Sequence, residues 1–213
     1  MAWSFVAAGT PATGAMPTVP LPTYNVGNLL LLVVASKSAN ATATPVGYTS
    51  LASLAGGTGS AYFNIYYKFA GASETAPSVA ISAATTIAVI LSYSGVSSLD
   101  IVGATNDAHS TTAVTTSTTT TAANDLVFSI YSGEDGSFGT YTWSVPTGTT
   151  NRVNVGGSAT PTAGLLICDE NQASAGATAA RTSTISGSKQ WGSVTIAFKQ
   201  NLVRSGGSFL QFF

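Results

Sequence analysis

Alternation of apolar and polar residues, which is typical of a half-buried β-strand, recurs along the chain. In residues 62–69 the side chains of Phe63, Ile65, Tyr67 and Phe69 share one face. The same period of two occurs in residues 87–93, 126–130 and 194–198. No stretch shows a convincing helical period, and the pattern therefore predicts an all-β protein.

The apolar run 29–35 is too continuous for a strand with one solvated face, and we predict a central strand covered on both faces. Short turns rich in Gly, Asn and Ser separate the predicted strands. These turns lie at 25–28, 55–59, 94–95, 133–136, 156–157 and 186–188. Many short strands with such turns predict a jelly-roll-like antiparallel β-sandwich, and we assign residues 1–199 to a single domain of this kind.

Two segments depart from the alternating pattern. Residues 10–23 are rich in proline, which cannot donate to a β-ladder, and we expect an extended segment that crosses the surface and could lie on a neighbouring molecule. Residues 110–121 are almost all Ser and Thr, a composition that fits either an edge strand or an extended loop.

A short internal similarity links residues 27–30 with residues 124–127, because each places a turn residue before a buried strand. A two-fold arrangement of the sandwich would explain this similarity, and so would the ordinary chemistry of strand entry. The sequence alone favours strand entry.

The C-terminal arm, residues 200–213, joins a flexible Ser-Gly-Gly-Ser hinge to an apolar tip. The tip residues expected to dock on a partner are Phe209, Leu210, Phe212 and Phe213. A flexible spacer followed by an apolar peptide suits insertion into a groove or addition to a sheet edge. The tip either folds back on its own sandwich or docks on another subunit, and the hypothesis at this point is docking between subunits.

Charged residues make up 7% of the chain, against about 25% in an ordinary soluble protein. The surface must therefore be built from Ser, Thr, Asn and Gly, and such a surface is poorly protected against association. A permanent assembly needs no such protection, although a Thr-rich secreted adhesin is an alternative. The net charge of −1 without a basic stripe argues against nucleic-acid binding, and the longest apolar run is too short for a membrane-spanning helix. The N-terminus lacks the basic region of a signal peptide.

Residues that carry chemistry are few. His109 is the only histidine, no Gly-x-Ser-x-Gly motif accompanies it, and we interpret it as a solvated loop residue. Cys168 lies in an apolar run and is interpreted as a small core residue. The adjacent acid pairs at 134–135 and 169–170 are interpreted as polar turns, with weak calcium binding as an alternative for each. We expect no catalytic residue, no metal site and no cofactor.

Aromatic residues provide the remaining functional hint. Four of them are candidate surface contacts, namely Tyr62, Tyr66, Tyr141 and Trp143. Exposed rings of this kind stack on sugars or form the centre of protein interfaces. Trp3 and Trp191 are assigned to the core.

The order of several motifs resembles a known family. The motifs are the segments 26–35, 45–51, 66–70 with Glu74, 93–96, 173–178 and 191–199. Together they resemble the jelly-roll-like sandwich modules of tailed-bacteriophage structural proteins and some bacterial surface proteins, over about residues 24–199. The family's Gly-Asp and Gly-Trp-Thr stand here as Gly27-Asn28 and Gly47-Tyr48-Thr49. The family motifs mark strand ends and core, and they carry no catalytic set.

The resemblance implies a virion or cell-surface protein, and three functions are compared. We expect a non-enzymatic subunit on the surface of a bacteriophage virion, of the capsid-decoration or cement type. Its partners would be copies of itself, with a trimer suggested by common virion symmetry, and other virion proteins such as the major capsid protein. The alternative is a tail-fibre or receptor-binding adhesin that recognises a host glycan. A glycan-active enzyme is the least favoured, because titratable residues are scarce.

Overall fold

The computed structural model describes residues 2–37, 39–56, 61–81, 85–134, 140–158 and 163–201. These residues contain β-strands and no helix, so the described part of the chain includes no helix suited to crossing a membrane. The strands are β1 (Ser4–Ala8), β2 (Ala12–Thr13), β3 (Leu29–Lys37), β4 (Thr49–Ala55), β5 (Ala61–Phe69), β6 (Thr86–Ser94), β7 (Val96–Val102), β8 (Asn106–Val114), β9 (Thr119–Thr120), β10 (Asp125–Glu134), β11 (Thr150–Val155), β12 (Ala163–Gln172), β13 (Gly176–Ala177) and β14 (Thr182–Gln200).

Two large antiparallel sheets pack face to face. The first has the order β1-β6-β3-β5-β4, and β2 also pairs with β6. The second has the order β11-β12-β10-β14-β7, and β8 also pairs with β14. Across the interface β3 contacts β10 and β12, β5 contacts β10 and β14, and β6 contacts β12. The predicted all-β antiparallel sandwich is confirmed.

The central strand β3 is buried on both faces, as predicted from its continuous apolar run. Its inner face contributes Leu29, Leu31 and Val33 to the core between the sheets. Its outer face is covered by a second apolar cluster that includes Val19. The proline-rich segment thus lies on its own sheet, where Val79 N–H donates to the carbonyl of Pro17 over 3.0 Å.

Two sequence-based interpretations need refinement in the second sheet. The Ser/Thr stretch divides, because its first part completes β8 on β14 and its later residues form β9, which pairs with β13. The turn predicted at 186–188 is wrong. These residues form an irregularity within β14, where the pairing register with β8 shifts between Thr184 and Lys189.

The two sheets have the same topology. The first sheet uses β1, β2, β3, β4, β5 and β6, and the second uses β7, β8, β10, β11, β12 and β14 in the corresponding roles. When the six strands of each sheet are numbered in chain order, both sheets have the spatial order first, sixth, third, fifth, fourth. In both sheets the second strand also pairs with the sixth. The chain therefore builds one sheet from residues 4–94 and an equivalent sheet from residues 96–200. Positions in the two halves that share the same place in the pairing register are called equivalent below.

The equivalence extends to irregularities of the backbone. The first strands carry a register shift between Phe5 and Ala7 and between Leu99 and Ile101. The edge strands β4 and β11 carry another at equivalent positions, between residues 50 and 52 and between residues 151 and 153. Irregularities of this kind rarely coincide by chance, since each needs an extra residue at one place in the ladder.

The turns that precede the edge strands are equivalent as well. Tyr48 N–H donates to the Pro45 carbonyl over 3.0 Å, and Thr149 N–H donates to the Pro146 carbonyl over 3.3 Å. The glycine of each turn has a positive φ, 79° in the first half and 84° in the second, a conformation that favours glycine. Both turns therefore follow the pattern Pro-x-Gly-x-Thr.

The similarity between 27–30 and 124–127 now has a structural explanation. Gly27 and Asn124 both have a positive φ, of 82° and 60°. Each lies just before the central strand of its half, which is β3 in the first half and β10 in the second. Strand-entry chemistry, the explanation favoured from sequence, is insufficient because the whole sheet around each segment is equivalent. The sandwich has the two-fold arrangement.

Candidate functional site

Three large apolar side chains are exposed at one end of the first sheet. Val26 is 69% exposed, Val46 is 97% exposed and Phe69 is 36% exposed. They belong to the turn before β3, the turn before β4 and the end of β5. These three residues are called the tip patch below.

Both chain neighbours of Phe69 contact the turns that carry Val26 and Val46. Ala70 accepts a 2.8 Å hydrogen bond from the N–H of Gly27, which is next to Val26. Lys68 Nζ lies so close to Gly47 that a Cβ there would be 3.2 Å away. Since β3, β5 and β4 are consecutive in the sheet, the three residues lie at neighbouring strand ends.

The second half has no such patch at its equivalent positions. Ala123, Thr147 and Asn171 stand where the first half has Val26, Val46 and Phe69. Because the backbone is the same in both halves, the fold does not require apolar residues at these positions. This combination of three exposed apolar residues therefore belongs to the first sheet alone among the two equivalent sets of positions.

A groove of about 270 Å³ borders the tip patch. Its lining residues are Val46, Lys68, Thr75, Ala76, Pro77 and Ser78. The Lys68 ammonium is held by Glu74, so the groove presents no unpaired charge at this position.

The four aromatic residues proposed as surface contacts are mostly buried, and that prediction is wrong for three of them. Tyr66 is 3% exposed because the segments before β3 and after β5 cover the outer face of the first sheet. Tyr141 and Trp143 are 2% and 5% exposed and pack in a third apolar cluster on the outer face of the second sheet. Tyr62 is partly buried. Trp191 is buried as expected, and Trp3 packs at the margin of the main core.

Most of the charged residues neutralise one another inside the fold. Ion pairs between described residues join Lys37 to Glu134, Lys68 to Glu74, Arg152 to Asp169, Arg181 to Glu170 and Lys199 to Asp100. These pairs use five of the seven Lys and Arg residues and five of the eight Asp and Glu residues. Little charge remains for the outer surface.

The strongest polar network connects the two sheets. Asp169 Oδ2 accepts hydrogen bonds from the Tyr93 hydroxyl and from Arg152 Nε, each over 2.7 Å. Burial, followed by the Asp169 charge, raises the pKa of the Tyr93 phenol well above its usual value. The Arg152 guanidinium also stacks 4.4 Å from the centre of the Phe5 ring. Tyr93, Asp169 and Arg152 are thus paired with one another inside the fold.

At the equivalent positions on the other side of the sandwich, apolar residues stand in place of this network. Phe198, Tyr67 and Leu51 occupy the equivalent positions on the other side of the sandwich. There the rings of Phe198 and Tyr67 contact each other at 5.4 Å between centroids. One side of the sandwich is thus closed by an apolar cluster and the other by a buried ion pair.

A second polar cluster surrounds Asp125 at the start of β10. Asp125 is fully buried beside Asp100, and Lys199 Nζ lies 3.3 Å from Asp100 Oδ1. Burial, together with the hydrogen bond and charge of Asp100, raises the pKa of Asp125 to about 7. Burial would also raise the pKa of Asp100, but hydrogen bonds with Thr121, Asp125 and Lys199 together outweigh this effect and lower it to about 2. Asp125 is therefore partly protonated at neutral pH, whereas Asp100 is ionised.

The acid pairs interpreted as polar turns lie in strands, and this prediction is wrong for every described member. Glu134 ends β10 with 2% exposure, and Asp135 lies outside the described residues. Asp169 and Glu170 lie within β12. Partners from distant segments make burial possible, since Arg181 Nε donates to Glu170 over 2.9 Å. No three His, Cys, Asp or Glu side chains among the described residues form a group that could hold a metal ion.

The remaining chemical candidates agree in part with expectation. Cys168 is buried as predicted, and burial raises the pKa of its thiol to about 11, which keeps it protonated at neutral pH. His109 is exposed as predicted but lies on β8 rather than in a loop, with Nδ1 3.1 Å from the Ser188 hydroxyl.

The C-terminal tip residues Phe209, Leu210, Phe212 and Phe213 lie outside the described residues. Docking by this tip stays a prediction. The described chain ends at Asn201, whose N–H donates to the Gly95 carbonyl over 2.7 Å.

The candidate site is therefore the tip patch with its groove, on a surface with little charge. Comparison of the chain with protein-family models, with curated proteins and with solved structures found no significant match in any of the three.

Proposed function

We propose that the protein is a structural subunit of a bacteriophage virion, of the capsid-decoration or cement type, and that it acts by packing against copies of itself and other virion proteins. The observation that carries the packing role is the internal use of most charges in five ion pairs. A protein surface that lacks charge associates readily, because no electrostatic repulsion separates the copies. The virion assignment rests on the motif resemblance over residues 24–199.

An open sheet edge supports self-association. β4 is the last strand of the first sheet, and no described strand pairs with its outer edge. Its sequence, Thr-Ser-Leu-Ala-Ser-Leu-Ala, contains no charged residue and no proline. Proteins that stay monomeric usually protect such edges with charges or proline. The equivalent strand β11 carries Arg152.

Lysine at the open edge should weaken self-association. We expect Ser50→Lys to raise the dissociation constant of the assembly about tenfold, since pairing of two β4 edges would bring like charges together and desolvate them. Sedimentation velocity over a range of concentrations measures this constant. Asn151→Lys is the matched control, because Ser50 and Asn151 are equivalent and both exposed. A wild-type protein that stays monomeric throughout would contradict the proposed packing.

The virion location needs a separate measurement. Gold-labelled antibody against the recombinant protein is applied to particles of the phage that encodes it and viewed by electron microscopy. Label over the head is the expected result. Label confined to the tail tip or fibres would overturn the decoration role and favour the adhesin.

The adhesin alternative has lost much of its support in this fold. Its sugar platform required exposed rings, and three of the four candidate rings are buried. Tyr62 remains partly accessible, but one ring does not form a stacking surface of the kind expected. The packing role is therefore the better supported of the two.

A further inference from the structure

The chain leaves the sandwich next to the tip patch. Phe198, near the end of β14, contacts the ring of Tyr67 at 5.4 Å, and Tyr67 in turn contacts the ring of Phe69 at 6.1 Å. The last described residue, Asn201, follows Phe198 by three positions and is fixed to Gly95. The C-terminal segment thus starts beside the exposed apolar side chains of its own molecule.

The length of this segment allows it to reach the tip patch. Residues 202–208 precede the apolar tip and span at most about 24 Å when extended. Packed sheets lie about 10 Å apart and neighbouring strands about 4.8 Å apart. The tip patch, one sheet across from β14, is within this range.

The composition of the segment complements the patch. Its tip carries Phe209, Leu210, Phe212 and Phe213, and it contains no charge after Arg204. The patch offers Val26, Val46 and Phe69 together with the adjacent groove, whose lysine is already paired. Burial of one apolar surface by the other removes both from water, which is favourable in proportion to the area covered.

Because the segment is tethered to its own sandwich, docking within one molecule is favoured over docking between molecules. A peptide joined by a short flexible linker has an effective concentration in the millimolar range at a site within reach. Before assembly, a second subunit at micromolar concentration competes poorly with this for the same patch. We propose that the tip patch of Val26, Val46 and Phe69 is the docking site for residues 209–213 of the same chain.

A rival site lies closer to the exit point but has the wrong chemistry. A groove of about 410 Å³ is lined by Ser97, Ala122, Ala123, Asn124, Lys199, Gln200 and Asn201. None of these side chains is large and apolar. The tip patch, by contrast, offers three exposed large apolar side chains.

Disulfide trapping in the full-length chain tests the docking site. One variant combines Val46→Cys with Phe212→Cys, and the matched control combines Thr147→Cys with Phe212→Cys. Val46 and Thr147 are equivalent, and both are exposed. The native Cys168 is buried and does not interfere. Mild oxidation is followed by non-reducing gels and by mass spectrometry of the cross-linked peptides.

We expect the Val46 variant to form its disulfide within one chain at least fivefold faster than the control. Equal rates in the two variants, no cross-link, or cross-links only between chains would overturn the proposal. The result is independent of the virion role, because a protein without that role could still dock its own C-terminus.

Hydrogen exchange provides a second measurement that needs no cysteine. Deletion of residues 209–213 should speed amide exchange in the turns 25–28 and 45–48 by severalfold. The equivalent turns at 122–125 and 146–149 should be unaffected. Identical changes in both sets of turns, or no change in either, would contradict docking at the tip patch.

Discussion

Asp169→Ala is expected to lower the free energy of unfolding by about 3–5 kcal/mol, as is typical when one partner of a buried ion pair is removed. Asp169 is 1% exposed and accepts from both Tyr93 and Arg152, so the variant leaves a buried phenol and a half-buried guanidinium unpaired. Chemical denaturation at pH 7, followed by circular dichroism, measures the loss.

A compensated variant separates loss of pairing from loss of packing. Tyr93→Phe, Asp169→Tyr and Arg152→Leu together install the residues found at the equivalent positions on the other side of the sandwich. Replacement of a complete buried ionic network by apolar residues is often neutral or stabilising. We expect the triple variant to regain most of the stability lost in Asp169→Ala. A triple variant as unstable as the single one would show that the network is essential at this site.

Asp125→Asn is expected to stabilise the protein at pH 8 by about 2–4 kcal/mol, the free energy linked to a pKa raised from 3.8 to about 7. Because the pKa in the folded state exceeds that of the unfolded chain, this contribution to stability is complete below pH 4. It is lost as the pH rises through 7. Asparagine cannot ionise and removes the loss. The urea midpoint at pH 5, 6, 7 and 8 measures the effect.

The equivalent residue of the first half supports this prediction. Asn28 stands at the position of Asp125, and Val6 stands at the position of Asp100. The fold therefore accepts a neutral amide there. Asp100→Asn should reduce the pH dependence without abolishing it, since burial is the larger cause of the raised pKa. If stability depends on pH equally in Asp125→Asn and in the wild type, Asp125 is not the group responsible.

Local patterns were enough to predict the sheets but not what covers them. Alternation placed a strand at 62–69, and β5 spans Ala61–Phe69. The same alternation suggested that Tyr66 faces solvent, whereas Val19 and other residues from distant segments cover it. Coverage of a sheet's outer face depends on contacts between distant parts of the chain, which a period of two does not encode.

The charged and glycine-containing motifs failed for a related reason. Asp169 follows an apolar run, and only its contacts with Tyr93 and Arg152 allow it to stay inside a strand. Gly187 has a φ of 89°, which suits a turn and a strand irregularity equally well. The two-fold arrangement was hard to detect in the sequence, because the residues at equivalent positions share size or polarity more often than they are identical. Leu31 and Phe128 are one such pair.

The ion pair between Lys37 and Glu134 has a consequence for assembly. The two residues are equivalent, they end the central strands of the two halves, and Nζ and Oε2 are 3.7 Å apart. Two copies of the first half packed together would bring two lysines to this place, and two copies of the second would bring two glutamates. Packing of two first halves, or of two second halves, would therefore bring like charges together. An exchange that pairs the first half of one molecule with the second half of another keeps this ion pair.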